Sequence, residues 1–464
     1  MDNKNALMWL KNGVIALAIA GLYSIVLVAL RTPQLRGFFT DQSMFKSALV
    51  IHVNLSVLVW LLSITCCIWS YSSIKTGLES FLARLGFVSM VLMALSPLYP
   101  ESTPVMNNYV PMLENIFFVI GLSLFGVVLL CLAIQTVLTA FMEDILGYGD
   151  RIMAIVKFTS ALMFIGVWLC IFMSFSSLDK LKEIVPLDLD FYYEMLFWSG
   201  GHLLQFIYTQ IFMLVLLVFV ENRLGGRVKF DAIYEMLFAL NFVLAMAVFV
   251  GHYKYDLSDG SFKDFFTLHM IYTAGIVPVI FIMMLLSEMI FGIKVKSPRF
   301  VSLSFFASIL LFLSGGAIGS AISGVNVTIP AHYHGSIVGI SVAFMVLGYV
   351  FCFQVEIMDN ISKIGGVLNV LLSKVSLVEE ERKGYKMASM QICLLTVGQI
   401  LHIVGLALAG GYGVLRKTPG AEIDMSAMIY MGMVGIGGLI AIIGGLMFVY
   451  ICAKNLYLKL GDTL

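Results

Sequence analysis

Charge is what this sequence has least of: only 12% of its 464 residues are Asp, Glu, Lys or Arg, against about 25% in a soluble domain. Basic and acidic residues balance at 28 each, so no basic face or acidic tail points to nucleic acid as a partner. Cysteine is sparse and unpatterned. Cys66, Cys67, Cys131, Cys170, Cys352, Cys393 and Cys452 all sit in apolar runs, with no CxxC and no CxxCH spacing. That excludes a disulfide framework and a covalently attached c-type haem on this chain. A long polar stretch is also missing; the most extended one, around Glu379–Lys386, is a short loop. What is abundant is apolar surface, at 60% of residues with a mean hydropathy of +0.98. The chain reads as an integral membrane protein whose first partner is lipid.

A helix needs about 20 apolar residues to cross a bilayer. Runs that qualify are 13–30, 47–71, 80–98, 115–141, 152–175, 195–220, 234–252, 264–291, 300–324, 331–354, 388–410 and 427–452. The first is long for a signal peptide and lacks a small-x-small exit, so it reads as a span. The third carries Arg84 and Pro97 near its ends and is the weakest, and "YPESTPVMNNYVP" (99–111) after it reads as an outer loop rich in turn residues. The fold class expected is an all-α polytopic helix bundle of about twelve transmembrane helices, a single domain over 1–464. With the N-terminus inside, nineteen basic residues fall on the inner side (Lys157, near the start of the fifth run, is counted among these loop charges) and nine on the outer, which accounts for all 28. Both termini are therefore expected on the cytoplasmic side.

All seven histidines (His52, His202, His252, His269, His332, His334 and His402) lie in or at the edge of these runs. The topology puts every one in the outer half of the membrane. A lone membrane histidine is ordinarily a hydrogen-bonded packing residue; a layer at one depth points to a buried assembly of metals or haems. The sharpest signal is "AHYHG", where His332 and His334 open a helix after Pro330. Side chains two apart on a helix point about 200° apart. Such a pair cannot easily share one ion but can hold two groups, one on each side.

"IPAHYHGSIVGISVAF" resembles the tenth helix of subunit I of the haem-copper oxidases, and "IHVNLSVLVWLL" resembles the second helix of cbb3-type oxidases and nitric oxide reductases. "FWSGGHLLQF" and "FVGHYKYD" resemble the sixth and seventh helices of the same superfamily. The resemblance implies two haems: a low-spin haem on His52 and His334, and a high-spin haem on His332 whose other face stays open to O2 or NO. It further implies a second metal, copper or non-haem iron, on His202 and His252. Arg416 and Lys417 match a basic pair that binds haem propionates. Electrons would come from a separate subunit with a c-type haem or a cupredoxin-like copper centre, and the setting would be a bacterial inner membrane.

The sequence departs from that family at the second metal. Two adjacent histidines are normal on the seventh helix, whereas here Tyr253 follows His252. Tyr253, Asp256 or His269 are the candidates to complete the shell, with Tyr253 also a candidate catalytic tyrosine beside Tyr208 and Tyr255. After His202 the oxidase proton-relay glutamate is replaced by Leu204, and the reductase glutamates are replaced by Gln205 and Gln210. The expected function is reduction of O2 to water in a respiratory terminal oxidase, with nitric oxide reduction as the alternative. A haem scaffold without catalysis and a membrane transporter are the further alternatives. Against the transporter stand the off-centre histidine layer and the lack of paired Gly- or Pro-broken helices in matching halves.

Overall fold

The computed structural model describes residues 4–31, 42–71, 73–74, 77–99, 102–145, 151–292, 298–353, 379–414 and 425–458. Twelve helices among them are long and apolar enough to cross a membrane. They are α1 (Lys4–Val28), α2 (Ser43–Ser70), α3 (Leu78–Leu98), α4 (Ile116–Glu143), α5 (Arg151–Lys182) and α6 (Leu189–Leu224), followed by α7 (Asp231–Lys254), α8 (Gly260–Phe291), α9 (Arg299–Ser320), α10 (Thr328–Phe353), α11 (Lys383–Gly411) and α12 (Met425–Leu456). Each matches one apolar run in the sequence. Helices are what such runs must form, because in hydrocarbon every backbone N–H and C=O has to be satisfied within its own segment. The third run spans as expected, with Arg84 exposed on its flank. A two-stranded antiparallel hairpin, β1 (Thr103–Val105) with β2 (Met112–Glu114), lies between α3 and α4 where the sequence suggested only a turn-rich loop.

The chain divides into two compact units. Of the described residues, unit 1 takes those within 4–13 and 58–292, and unit 2 those within 14–57, 298–353 and 379–458. In unit 1, α6 packs against α5, α7 and α8. Polar side chains tie these helices together: Gln210 donates to Thr159 Oγ1 at 2.9 Å, and Asn241 donates to Gln210 at 2.7 Å. Lys157, read from sequence as an inner loop charge, is instead buried against Glu143 at 2.7 Å and donates also to the Tyr71 carbonyl. Glu143 is equally buried, so the charges compensate each other.

In unit 2, α9 packs on α10, and α11 packs on α12 and α10. The α9–α10 crossing is close at Gly315 and Gly335, where a Cβ on either glycine would collide with the other's backbone. Small residues at a membrane helix crossing permit this approach. It is the contact that sets α9 directly beside the histidines of α10. The three helices carrying His52, His202, and the His332–His334 pair are also the most enclosed. Burial reaches 72% of the α2 window, 94% of α6 and 78% of α10, and no other span exceeds 56%.

Candidate functional site

In unit 2 the imidazoles are held from behind. His332 Nδ1 lies 2.7 Å from the Gly315 carbonyl, and the ring sits against Gly319 of α9. His52 Nδ1 lies 2.9 Å from the Ala20 carbonyl on α1. A carbonyl only accepts, so Nδ1 carries the proton in both and the Nε2 lone pair is available. Neither Nε2 has a hydrogen-bond partner among the described residues. His334 turns the other way: its ring stands 4.5 Å from that of His402 on α11, whose Nδ1 is 2.9 Å from the Val434 carbonyl. The HxH pair thus addresses two different neighbours, α9 and α11, as two residues on opposite helix faces must. Residues Gly339–Cys352 of α10 are buried throughout, whereas His332, Tyr333 and His334 are half-buried.

Unit 1 treats its imidazoles differently. His202 Nδ1 is 2.7 Å from the Trp198 carbonyl one turn back on α6, and its Nε2 is 3.0 Å from the Tyr109 hydroxyl. His252 Nε2 is 2.8 Å from Ser199 Oγ. His269 Nε2 is 2.8 Å from the Leu244 carbonyl, with the ring stacked on Phe206. Phe266 of α8, fully buried, packs on both remaining imidazoles at centroid distances of 5.0 Å to His202 and 6.3 Å to His252. Tyr253 is 91% exposed, and Asp256 is exposed as well. Tyr208 is buried within α6, and Tyr255 leans on Phe265. No group of three or more His, Cys, Asp or Glu side chains able to hold a metal ion occurs among the described residues. Arg416 and Lys417 lie outside the described residues.

Tyr109 is the residue that sequence reasoning passed over. It belongs to the connection between β1 and β2, which is fastened to the start of α6. The Asn108 backbone and side chain both donate to Glu194, and the Met106 N–H reaches Asp190. Asn107 closes the turn internally by accepting from the Tyr109 and Val110 N–H groups. The Tyr109 ring lies flat over Gly201, where any Cβ would collide with it. The glycine before His202 in "SGGH" is the one local signal of this contact, since it marks a close approach by some other group.

The described residues thus hold twelve candidate membrane spans, with imidazoles on the three most enclosed of them. Residues 4–446 match the family described as Cytochrome C and Quinol oxidase polypeptide I. The chain belongs to that family, the haem-copper oxidases. It is also similar to an uncharacterized protein of Rickettsia prowazekii (strain Madrid E), 41% identical over all of this chain and 98% of that protein. A second relative is an uncharacterized protein of Aquifex aeolicus (strain VF5), 25% identical over 77% of this chain and 87% of that one.

Family membership implies haem, and the two units answer that implication differently. His52 and His332 fit: each has its proton anchored behind it, a half-buried ring and an Nε2 without a partner among the described residues, which is how a metal-ligating imidazole is oriented by its outer hydrogen bond. His202 and His252 do not fit a shared second metal. Both Nε2 atoms are taken by hydroxyls, Phe266 fills the space against both rings, and the oxygen donors proposed from sequence point elsewhere.

Proposed function

We propose that this chain is the haem-bearing subunit of a respiratory terminal oxidase of a bacterial inner membrane, with both termini cytoplasmic and O2 as its substrate. The reading is carried by one observation. In unit 2, the Nδ1 atoms of His52 and His332 are tied to the Ala20 and Gly315 carbonyls, while their Nε2 atoms have no hydrogen-bond partner among the described residues. His52 and His334 would hold a low-spin haem, and His332 a high-spin one. Haem would supply one-electron transfer where two imidazoles hold it and gas binding where only one does. The protein's own part is to fix each ring: the Gly315 carbonyl keeps the His332 imidazole from rotating, and the Ala20 carbonyl does the same for His52. The Gly315–Gly335 crossing keeps that carbonyl in place. Arg416 and Lys417 would bind propionates. With no CxxCH on this chain, electrons would come from a separate subunit bearing a c-type haem or a cupredoxin-like copper.

A second reading, a haem-carrying subunit without gas turnover, is favoured by the engaged imidazoles of unit 1. Purification followed by reduced-minus-oxidised and CO-difference spectra tests both. Two haems per chain with one CO site, and consumption of O2 or of NO, supports the catalytic reading and names the gas. Two haems with neither gas consumed supports the carrier. A haem-free protein sinks both.

A further inference from the structure

The family's second-metal position raises a separate question, which is what stands there in this chain. We infer that the unit-1 imidazole site is a metal-free hydroxyl–imidazole cluster, in which Tyr109 takes the metal's place at His202 and Ser199 takes it at His252.

The proton positions follow from the partners. The Trp198 carbonyl can only accept, so His202 carries its proton on Nδ1 and presents a lone pair at Nε2. The Tyr109 hydroxyl at 3.0 Å must then donate to it. A lone pair that accepts from a phenol cannot at the same time coordinate an ion. At His252 the Nε2 atom is likewise paired with Ser199 Oγ, which is itself 3.4 Å from Ser174 Oγ. These groups are enclosed. His202 is 3% exposed, and Ser199 and Ser174 are fully buried, so the hydroxyls are where the imidazoles find their partners. Each polar group of such a cluster costs free energy unless it is satisfied, and here they satisfy one another.

Three further features are arranged around this pairing. Glu194 grips Asn108, which brings the neighbouring Tyr109 to α6. Gly201 leaves the space that the Tyr109 ring occupies. Trp198 meets that ring edge-on at a centroid distance of 5.6 Å. The phenol is therefore locked on three sides rather than resting on the site. Loss of the second helix-seven imidazole to an outward-facing Tyr253 belongs to the same change, since without a metal that position has nothing to hold.

The test uses the purified protein with its haem. Haem is quantified as the pyridine haemochrome, and total iron and copper are measured on the same sample. Expected are no copper and no iron beyond haem iron, in the parent protein and in His202→Ala alike. One copper, or one extra iron, per chain that disappears in His202→Ala overturns the inference. An infrared comparison with ring-labelled tyrosine supplies a second measurement that does not depend on metal or turnover. Tyr109→Phe should remove one phenol C–O band, and His202→Gln should shift that same band while leaving the rest in place. A band unmoved by His202→Gln overturns the inference even where His202→Ala fails to fold. Absence of haem would count against the function proposed above and leave this result standing, because copper and non-haem iron are scored separately.

Discussion

The histidines of unit 2 and those of unit 1 are alike in sequence setting and unlike in their hydrogen bonds. Both groups lie on apolar spans, and in both units a backbone carbonyl fixes a ring nitrogen of some of the imidazoles. In unit 2 the fixed atoms at His52 and His332 are Nδ1, and the opposite nitrogen has no partner among the described residues. At His202 the same Nδ1 anchor is present, yet a tyrosine hydroxyl has been brought from a hairpin more than 90 positions away to occupy Nε2. A metal-ligating imidazole is thus distinguished less by its own residue type than by whether its second nitrogen has been left alone.

The strongest way to break the comparison is to remove one imidazole from each unit. His332→Ala should abolish CO binding and His52→Ala should abolish the six-coordinate signal, each at the cost of about one haem per chain. His202→Ala should keep both signals, and loss of a haem signal in that variant would erase the distinction.

Next in size is the ion pair of unit 1. Lys157→Met leaves Glu143 buried and uncompensated, which costs about 3–5 kcal/mol. A large fall in thermal stability in detergent is expected, relieved by adding Glu143→Gln. If the single and double variants melt together, the pair contributes little.

A smaller effect is expected from Gly201→Ala, which forces the Tyr109 ring off α6. Overpacking of this kind typically costs about 1–3 kcal/mol, and the hairpin between β1 and β2 should become susceptible to protease. An unchanged digestion pattern would mean that the ring can give way.

The smallest is Ser199→Ala. Leaving His252 Nε2 without its hydroxyl should cost about 1–3 kcal/mol, with haem spectra unchanged. A change in either haem spectrum would tie Ser199 to the haem sites and blur the contrast.

Much of this architecture could be read along the chain. Twelve apolar runs became twelve spans because in lipid there is no other way to satisfy a backbone, and the opposite facing of His332 and His334 follows from helical geometry alone. The features that could not be read are those made by pairing across distance. Lys157 looked like a loop charge because its partner Glu143 lies on another helix. Tyr109 looked like part of a turn because nothing near it in sequence mentions His202. Phe266, Tyr109 and Ser199 are equally silent in the sequence, and only the packing brings them against His202 and His252.

Two helices change winding immediately beyond a histidine: Asn54–Val59 after His52, and Met270–Ala274 after His269, are π-helical. A π turn accommodates one residue more than an α turn, so it offsets the faces on either side by about 100°. In α2 this separates the phase of the segment carrying His52 from that of Trp60–Ser70, every residue of which is buried. Forcing regular winding on residues 54–59 with every residue kept would swing one flank by about 100°, whereas deleting a single residue there would let the α-helix run on with both flanks in their present phase. The extra residue is therefore a local widening of the helix close to His52 that a one-residue gap would remove without turning either face.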